Sequence, residues 1–186
     1  MVEGEIITRS VINILEDGSY PYMLVGSFSS NMYGIPRSTK DADFVIDVKD
    51  RTVMPRLMKE LDHLLEFDPQ SSFEGHTGCM RYEAMARSFP FGIEFFELAD
   101  DPFALSRFQR RVRFHSSVLG RNVWIPTAED VIVQKLRWGR EKDRVDARDV
   151  MTVQGTALDL HYIENWCQRL NVTDRYQAVL ATVPKI

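Results

Sequence analysis

A chain of 186 residues and 21.5 kDa has room for one domain, or one domain with a small helical appendage. With 44% hydrophobic, 11% aromatic and 27% charged residues it can bury a substantial core, which argues against a disordered chain. A formal net charge of −4 and a pI near 5.6 exclude a surface that is basic all over, while leaving room for a local basic patch. No apolar run approaches the roughly 18 residues of a membrane helix, and MVEGEIITRS lacks the basic and apolar blocks of a secretory signal, so the expectation is a cytoplasmic protein with no membrane partner.

In chain order, Ile6, Ile7, Ile12, Ile14 and Leu15 stand at near-helical spacing, and Asp17-Gly18 closes a first helix over residues 5–16. Tyr22 to Val25 reads as a short strand that Gly26 breaks, and Ser27 to Tyr33 as a helix whose N-terminus points back at that break. A polar loop, Pro36-Arg37-Ser38-Thr39-Lys40, leads into a buried strand at Phe44-Val45-Ile46, and Val53, Leu57, Met58, Leu61, Leu64 and Leu65 predict a helix over 53–65. Between 66 and 123, short apolar segments separated by Gly, Pro and Ser (79–85, 91–98 and 112–120) predict antiparallel strands or meanders. Thr127 and Asp130 have the spacing of a capping box at the head of TAEDVIVQKLRWGR. Leu160, Ile163, Trp166, Cys167 and Leu170 trace one face of a helix capped by Asp159 and stopped at Asn171, and Thr173 to Val183 forms a last one. Strand and helix alternate early and helices gather late, so the fold class is α/β or α+β with a C-terminal helical cluster, divided as a core at 1–124 and a helical region at 125–186 packed on it.

Cys79 and Cys167 stand alone and read as ordinary buried thiols. His63, His76, His115 and His161 make no metal-binding spacing.

The chemistry gathers in MLVGSFSSNMYGIPRSTKDADFVIDV. Gly26 at a strand-to-helix junction lets backbone amides approach a ligand, and the free amides that follow favour phosphate. In an extended segment Asp41 and Asp43 project from one face, about 7 Å apart at roughly 3.3 Å per residue. Two like charges so placed are unfavourable unless water is plentiful or a cation is shared, and Mg²⁺ commonly takes one or two carboxylates together with substrate phosphates. A solvated loop is the alternative for the carboxylates, and a simple turn for Gly-Ser. Asp47, two more residues along, reads as a solvated strand end.

The pattern Val25-Gly26-Ser27, 13 residues, then Asp41-Ala42-Asp43-Phe44-Val45 resembles the signature of the nucleotidyltransferase superfamily with the DNA polymerase β-like fold. Tyr33-Gly34 and Arg37 to Asp41 are similar to a motif of its minimal bacterial members and abortive-infection toxins, with Tyr33 where those often have His. IPTAEDVIVQKLRWGREKDRVDARDV is similar to the helices that follow their catalytic sheet. The resemblance implies a mixed central sheet flanked by helices, with Mg²⁺ or Mn²⁺ on Asp41, Asp43 and a third carboxylate. Glu94 in FGIEFFEL stands where the family usually has Asp. Among Phe91, Ile93, Phe95 and Phe96, a carboxylate is costly unless paired, on metal, or facing water from an edge strand. The resemblance also implies catalytic roles for Asp41, Asp43 and Glu94, and nucleotide contacts from Gly26, Ser27, Arg37, Thr39 and Lys135.

Arg107, Arg110, Arg111 and Arg113, and again Arg137, Arg140, Lys142, Arg144 and Arg148, read mainly as solvated faces paired with nearby acids. Lys135, between Val133 and Leu136, reads as directed at a phosphate. The implied function is transfer of a nucleoside monophosphate from an NTP to an acceptor hydroxyl on RNA (tRNA among the candidates) or protein, with an antitoxin as a partner if the chain is a toxin. A catalytically inactive module that binds a nucleotide or a partner protein is the alternative. A glycosyltransferase using the Asp-x-Asp pair leaves the Gly-Ser turn unexplained.

Overall fold

The computed structural model describes residues 3–75 and 78–184. Helix α1, Glu3–Asp17, turns Ile7, Val11, Ile12 and Leu15 inward at helical spacing and gives way, through Ser19 at φ 54°, to β1, Tyr22–Val25. Helix α2, Gly26–Tyr33, begins on the residue after the strand, and β2, Asp41–Ile46, follows the polar loop. Next come α3, Val53–Leu61, and four strands: β3, Leu65–Phe67; β4, Ser72–Phe73; β5, Met80–Ala86; and β6, Gly92–Glu97. Helix α4, Pro102–Gln109, leads to a hairpin of β7, Val112–Ser116, and β8, Arg121–Ile125. The chain ends in α5, Ala128–Trp138; α6, Glu141–Gln154; α7, Leu160–Arg169; and α8, Thr173–Leu180.

The central sheet has the order β1-β2-β6-β5-β3, with β4 also beside β5. Its pairings are antiparallel except β2 with β6, which run parallel and place Asp43 opposite Glu94. This is the mixed sheet with a C-terminal helical cluster expected of the fold class. Alternation divides the sheet into two faces: Ala42, Phe44, Ile46, Ile93 and Phe95 enter the main core with Ile12, Leu15, Leu57 and Leu61. Phe44 and Phe95 stack with ring centroids 5.6 Å apart, each contributing about 1.5–3 kcal/mol through burial. The opposite face carries Asp41, Asp43 and Glu94 at one end, and Val25 and Val45 pack with Phe108 of α4 further along.

The second core joins Val131, Ile132, Val133 and Leu136 of α5 to Val150, Trp166 and Tyr176, with Phe103 of α4 inserted among them. Gly34, at the end of α2, lets the helix come against α6: a Cβ there would lie 3.0 Å from the Val150 nitrogen.

Several local expectations need correction. Residues 53–65 read as one helix, but it ends at Leu61 because Leu65 pairs with Ala86 in the sheet. Helix α4 lies between the segments 91–98 and 112–120 that read as strands, in a stretch where the sequence suggests no element of its own. Asp101 accepts hydrogen bonds from the Phe103 and Ala104 amides, 3.1 Å each, and Pro102 fits the first helical position. Glu94 stands on an interior strand, not an edge. The capping box is half formed: Thr127 caps α5 by accepting from the Asp130 amide, while the Asp130 carboxylate accepts from the Thr127 hydroxyl and from Tyr162. Leu160 is exposed, and the last helix stops at Leu180. Both cysteines are free and buried, Asp159 caps α7 and Asn171 takes φ 56° as its stop. His76 lies outside the described residues.

Candidate active site

One cavity of about 160 Å³ collects Gly26, Ser27, Asp41, Asp43, Glu94 and Lys135, with Arg81, Arg140 and Lys142 around them. Six of the eight residues singled out from sequence therefore meet in one place; Arg37 and Thr39 stand behind its wall. Strand alternation turns Asp41 and Asp43 the same way, and the parallel register brings Glu94 beside Asp43. The Asp43 carboxyl is pushed up to about 7, first by burial and then by the charges of Asp41 and Glu94, against the pull of Lys135 and Lys142. Burial also raises Glu94, which Arg81 opposes from 3.5 Å. Among the described residues no three acidic, histidine or cysteine side chains converge as a ready metal cluster. The donor set is nevertheless that of an oxygen-binding divalent cation: a crowded, partly desolvated carboxylate whose charge the protein leaves largely uncompensated.

Gly26 makes the approach of the helix possible. Its φ of 62° lies in the left-handed region, and a Cβ on it would fall inside the Asp43 carboxylate. The hydroxyls of Ser29 and Ser30 donate to the Gly26 carbonyl at 3.0 and 3.1 Å, fixing the first turn of α2 beside Asp43. Its leading amides have no partner within the helix and carry partial positive charge. We expect Gly26→Ala to cost about 2 kcal/mol or more from backbone strain and displacement of Asp43, read by urea unfolding. A cost below about 0.5 kcal/mol would show that the close contact is not tight.

A buried charge network from α6 stands behind this turn. Lys135, 3% exposed, donates to Asp146 at 2.7 Å and Asp143 at 3.3 Å. Arg37 clasps Asp146 with two hydrogen bonds, 2.8 and 2.9 Å, and reaches the Ser27 hydroxyl at 3.0 Å. Arg140 donates to Asp143 at 2.6 Å. Burial works to raise the Asp146 carboxyl, but hydrogen bonds from Arg37 and Lys135 hold it below the ordinary range. Thr39 donates to Asp41 Oδ1 at 2.7 Å. Arg37 and Thr39 thus brace Ser27 and Asp41 from outside the cavity, and Lys135 faces the cavity while bound to two acids. Asp47 lies beyond β2, its amide on the Pro21 carbonyl, and takes no part.

Asp143 and Asp146 read from sequence only as surface partners for nearby bases, yet both are buried at the centre of this network. Their three-residue spacing on α6 was the available signal, since it puts both on one helical face. Arg107 departs most from expectation: it is buried rather than solvated.

No known family profile matches the chain, and no curated protein matches it in sequence. Solved structures do match in shape. The chain is similar to ANT(2'')-Ia in complex with adenylyl-2''-tobramycin, at TM-score 0.62 and 13% identity over 94% of this chain and 99% of that one. It is similar to an antigenic nucleotidyltransferase-like protein from Paracoccidioides brasiliensis, at TM-score 0.54 and 17% identity over 98% and 94%. The lincomycin-bound lincosamide antibiotic adenylyltransferase LnuA aligns at TM-score 0.53 and 11% identity over 82% and 98%. The chain therefore has the nucleotidyltransferase fold, as the family resemblance of its Gly-Ser and Asp-x-Asp segments implied.

Proposed function

We propose that the protein transfers a nucleoside monophosphate from an NTP to an acceptor hydroxyl. The observation that carries this reading is that Asp41, Asp43 and Glu94 line the same cavity as Gly26 and Ser27 at the start of α2. Amides at that start, with the Ser27 hydroxyl, would hold the outer phosphates. Mg²⁺ or Mn²⁺ bound to Asp41, Asp43 and Glu94 would neutralise charge on the attacking and leaving oxygens of an in-line displacement. The acceptor oxygen bonds to the α-phosphorus as the bridge to the β-phosphate breaks. Pyrophosphate carries away the bond electrons, and the hydroxyl proton passes to Glu94. Lys135 keeps positive charge near Asp43 without leaving its own partners. The similar structures hold adenylyl-2''-tobramycin and lincomycin, which favours a small-molecule acceptor over the RNA or protein that the family resemblance implied.

The Arg81–Glu94 pair favours a second reading, a nucleotide-binding module whose third carboxylate is permanently neutralised. Single-turnover assays separate the two. If the protein is an enzyme, Glu94→Gln should keep NTP binding through Asp41 and Asp43 while transfer falls about 10²-fold or more, and Glu94→Asp should stay measurably active. Wild type inactive with every NTP, with Mn²⁺ affinity unchanged in Glu94→Gln, would leave the module.

A further inference from the structure

Beyond the carboxylate cavity, on the same face of the sheet, lies a smaller cavity of about 30 Å³ bounded by Val25 and Val45 on one side and by Arg107 of α4 and Gln134 of α5 on the other. Glu74, Phe96 and Trp138 line both cavities, so the two are neighbours through a shared wall. Arg107 is 7% exposed and Gln134 5%. Arg107 Nε and Gln134 Nε2 are buried donors without a hydrogen-bond partner. Burial lowers the Arg107 pKa, and three groups raise it by their charge: Asp130 and Asp101, held by Arg110 at 3.4 Å and Arg137 at 3.1 Å, and the Cys79 thiol on the cavity wall. Glu97, also on the wall, accepts from the Tyr82 hydroxyl. The aromatic ring of Phe103 lies 5.9 Å from the guanidinium carbon, a weak offset for a buried cation.

A desolvated cation with free donors is a standing cost that a folded chain rarely keeps without a ligand. A guanidinium fork matches a carboxylate through two parallel hydrogen bonds, and an amide N–H beside it adds a third donor. The space admits a group of a few heavy atoms, and a strand advances roughly 3.3 Å per residue, so Val45 lies about 7 Å beyond Asp43. We propose that Arg107 and Gln134 form a carboxylate-binding subsite, and that the acceptor is a small hydroxy-carboxylate anchored there by its carboxylate. The acceptor part of this inference rests on the nucleotidyl-transfer reading. The anchored acceptor turns its hydroxyl toward Asp43 and Glu94; its oxygen bonds to the α-phosphorus, pyrophosphate leaves, and the carboxylate is unchanged.

The test is a titration of the nucleotide-free protein with sodium acetate, followed by NMR of the Arg107 Nε–H and Gln134 side-chain amide, with sodium chloride at matched ionic strength as the second arm. Acetate should move both resonances saturably. Arg107→Met and Gln134→Leu should each weaken acetate by roughly tenfold or more, and Arg107→Met should raise the ligand-free Tm because it removes an uncompensated buried charge. A chloride response of equal affinity would reduce the site to a general anion hole, and no acetate response, or a lower Tm in Arg107→Met, would overturn it. With labelled NTP, hydroxy-carboxylates long enough to span about 7 Å between carboxylate and hydroxyl should outperform their amides and the shorter glycolate as acceptors. Acetate binding without transfer from any NTP would remove the transferase reading and leave the carboxylate site; transfer without any acetate response would do the reverse.

Discussion

Asp43→Asn should abolish transfer, by about 10³-fold or more, while making the ligand-free protein more stable at neutral pH. The loss follows from removing the carboxylate nearest the start of α2, where several kcal/mol of charge neutralisation is at stake and each 1.36 kcal/mol is a factor of ten. The gain follows from linkage. Asp43 titrates at about 7 in the folded chain against an ordinary 3.8, so folding takes up a proton between those values, and above them the ionised carboxyl penalises the fold. Asparagine has no charge to penalise. The variant should therefore melt roughly 5 °C higher than wild type at pH 8, with the difference shrinking toward pH 4–5, as read by calorimetry without divalent ions. A lower Tm at pH 8 would mean that Asp43 is already compensated in the free protein.

Asp146→Ala should be among the most damaging changes outside the cavity. It leaves Lys135 with Asp143 alone at 3.3 Å and releases Arg37 from its clasp, and stranding a buried charge costs about 3–5 kcal/mol. Because the fold holds the Asp146 carboxyl low, its contribution is present above the ordinary carboxylate range and lost as pH falls through its folded value. Wild type and Asp146→Ala should thus converge in stability under acid and diverge at neutral pH. Adding Lys135→Met to Asp146→Ala should recover much of the stability and none of the NTP affinity, since Arg37 would still have lost its hold on the Ser27 side of the cavity. If Asp146→Ala cost less than about 1 kcal/mol at pH 7, water would have to replace the carboxylate in the network.

What could be read from the chain follows the range of the interactions involved. Strand, glycine and helix at 22–33 are local: Gly26 alone can take the positive φ between an apolar strand and a serine-rich turn, and the Asp-x-Asp pair declares its common face by alternation. Glu94 was legible as a charge inside an apolar strand, though its register opposite Asp43 depends on parallel pairing between segments about fifty residues apart. Helix α4 was missed because its eight residues, between two strand-like segments, are too few to show a helical period, and the Asp101 cap followed by Pro102 was the local signal for it. Leu65 continued the helical period of 53–61 but pairs with Ala86, a tertiary partner that overrides it. Arg107 sits in RFQRRVR, where four arginines look alike. One is buried because its face of α4 meets the sheet, and nothing in that local run distinguishes it.

The central claim is that the cavity beside Gly26 cleaves an NTP between its α- and β-phosphates and passes the α-phosphate with its nucleoside to a hydroxyl. Paired incubations with α-labelled and γ-labelled NTP, in Mg²⁺ or Mn²⁺ and over a panel of hydroxyl acceptors including hydroxy-carboxylates, test it most directly. The account predicts that α-label appears in the acceptor, that γ-label appears only in pyrophosphate, and that both signals vanish in Asp43→Asn. Transfer of γ-label to the acceptor, or α-label transfer that persists in Asp43→Asn, would contradict it.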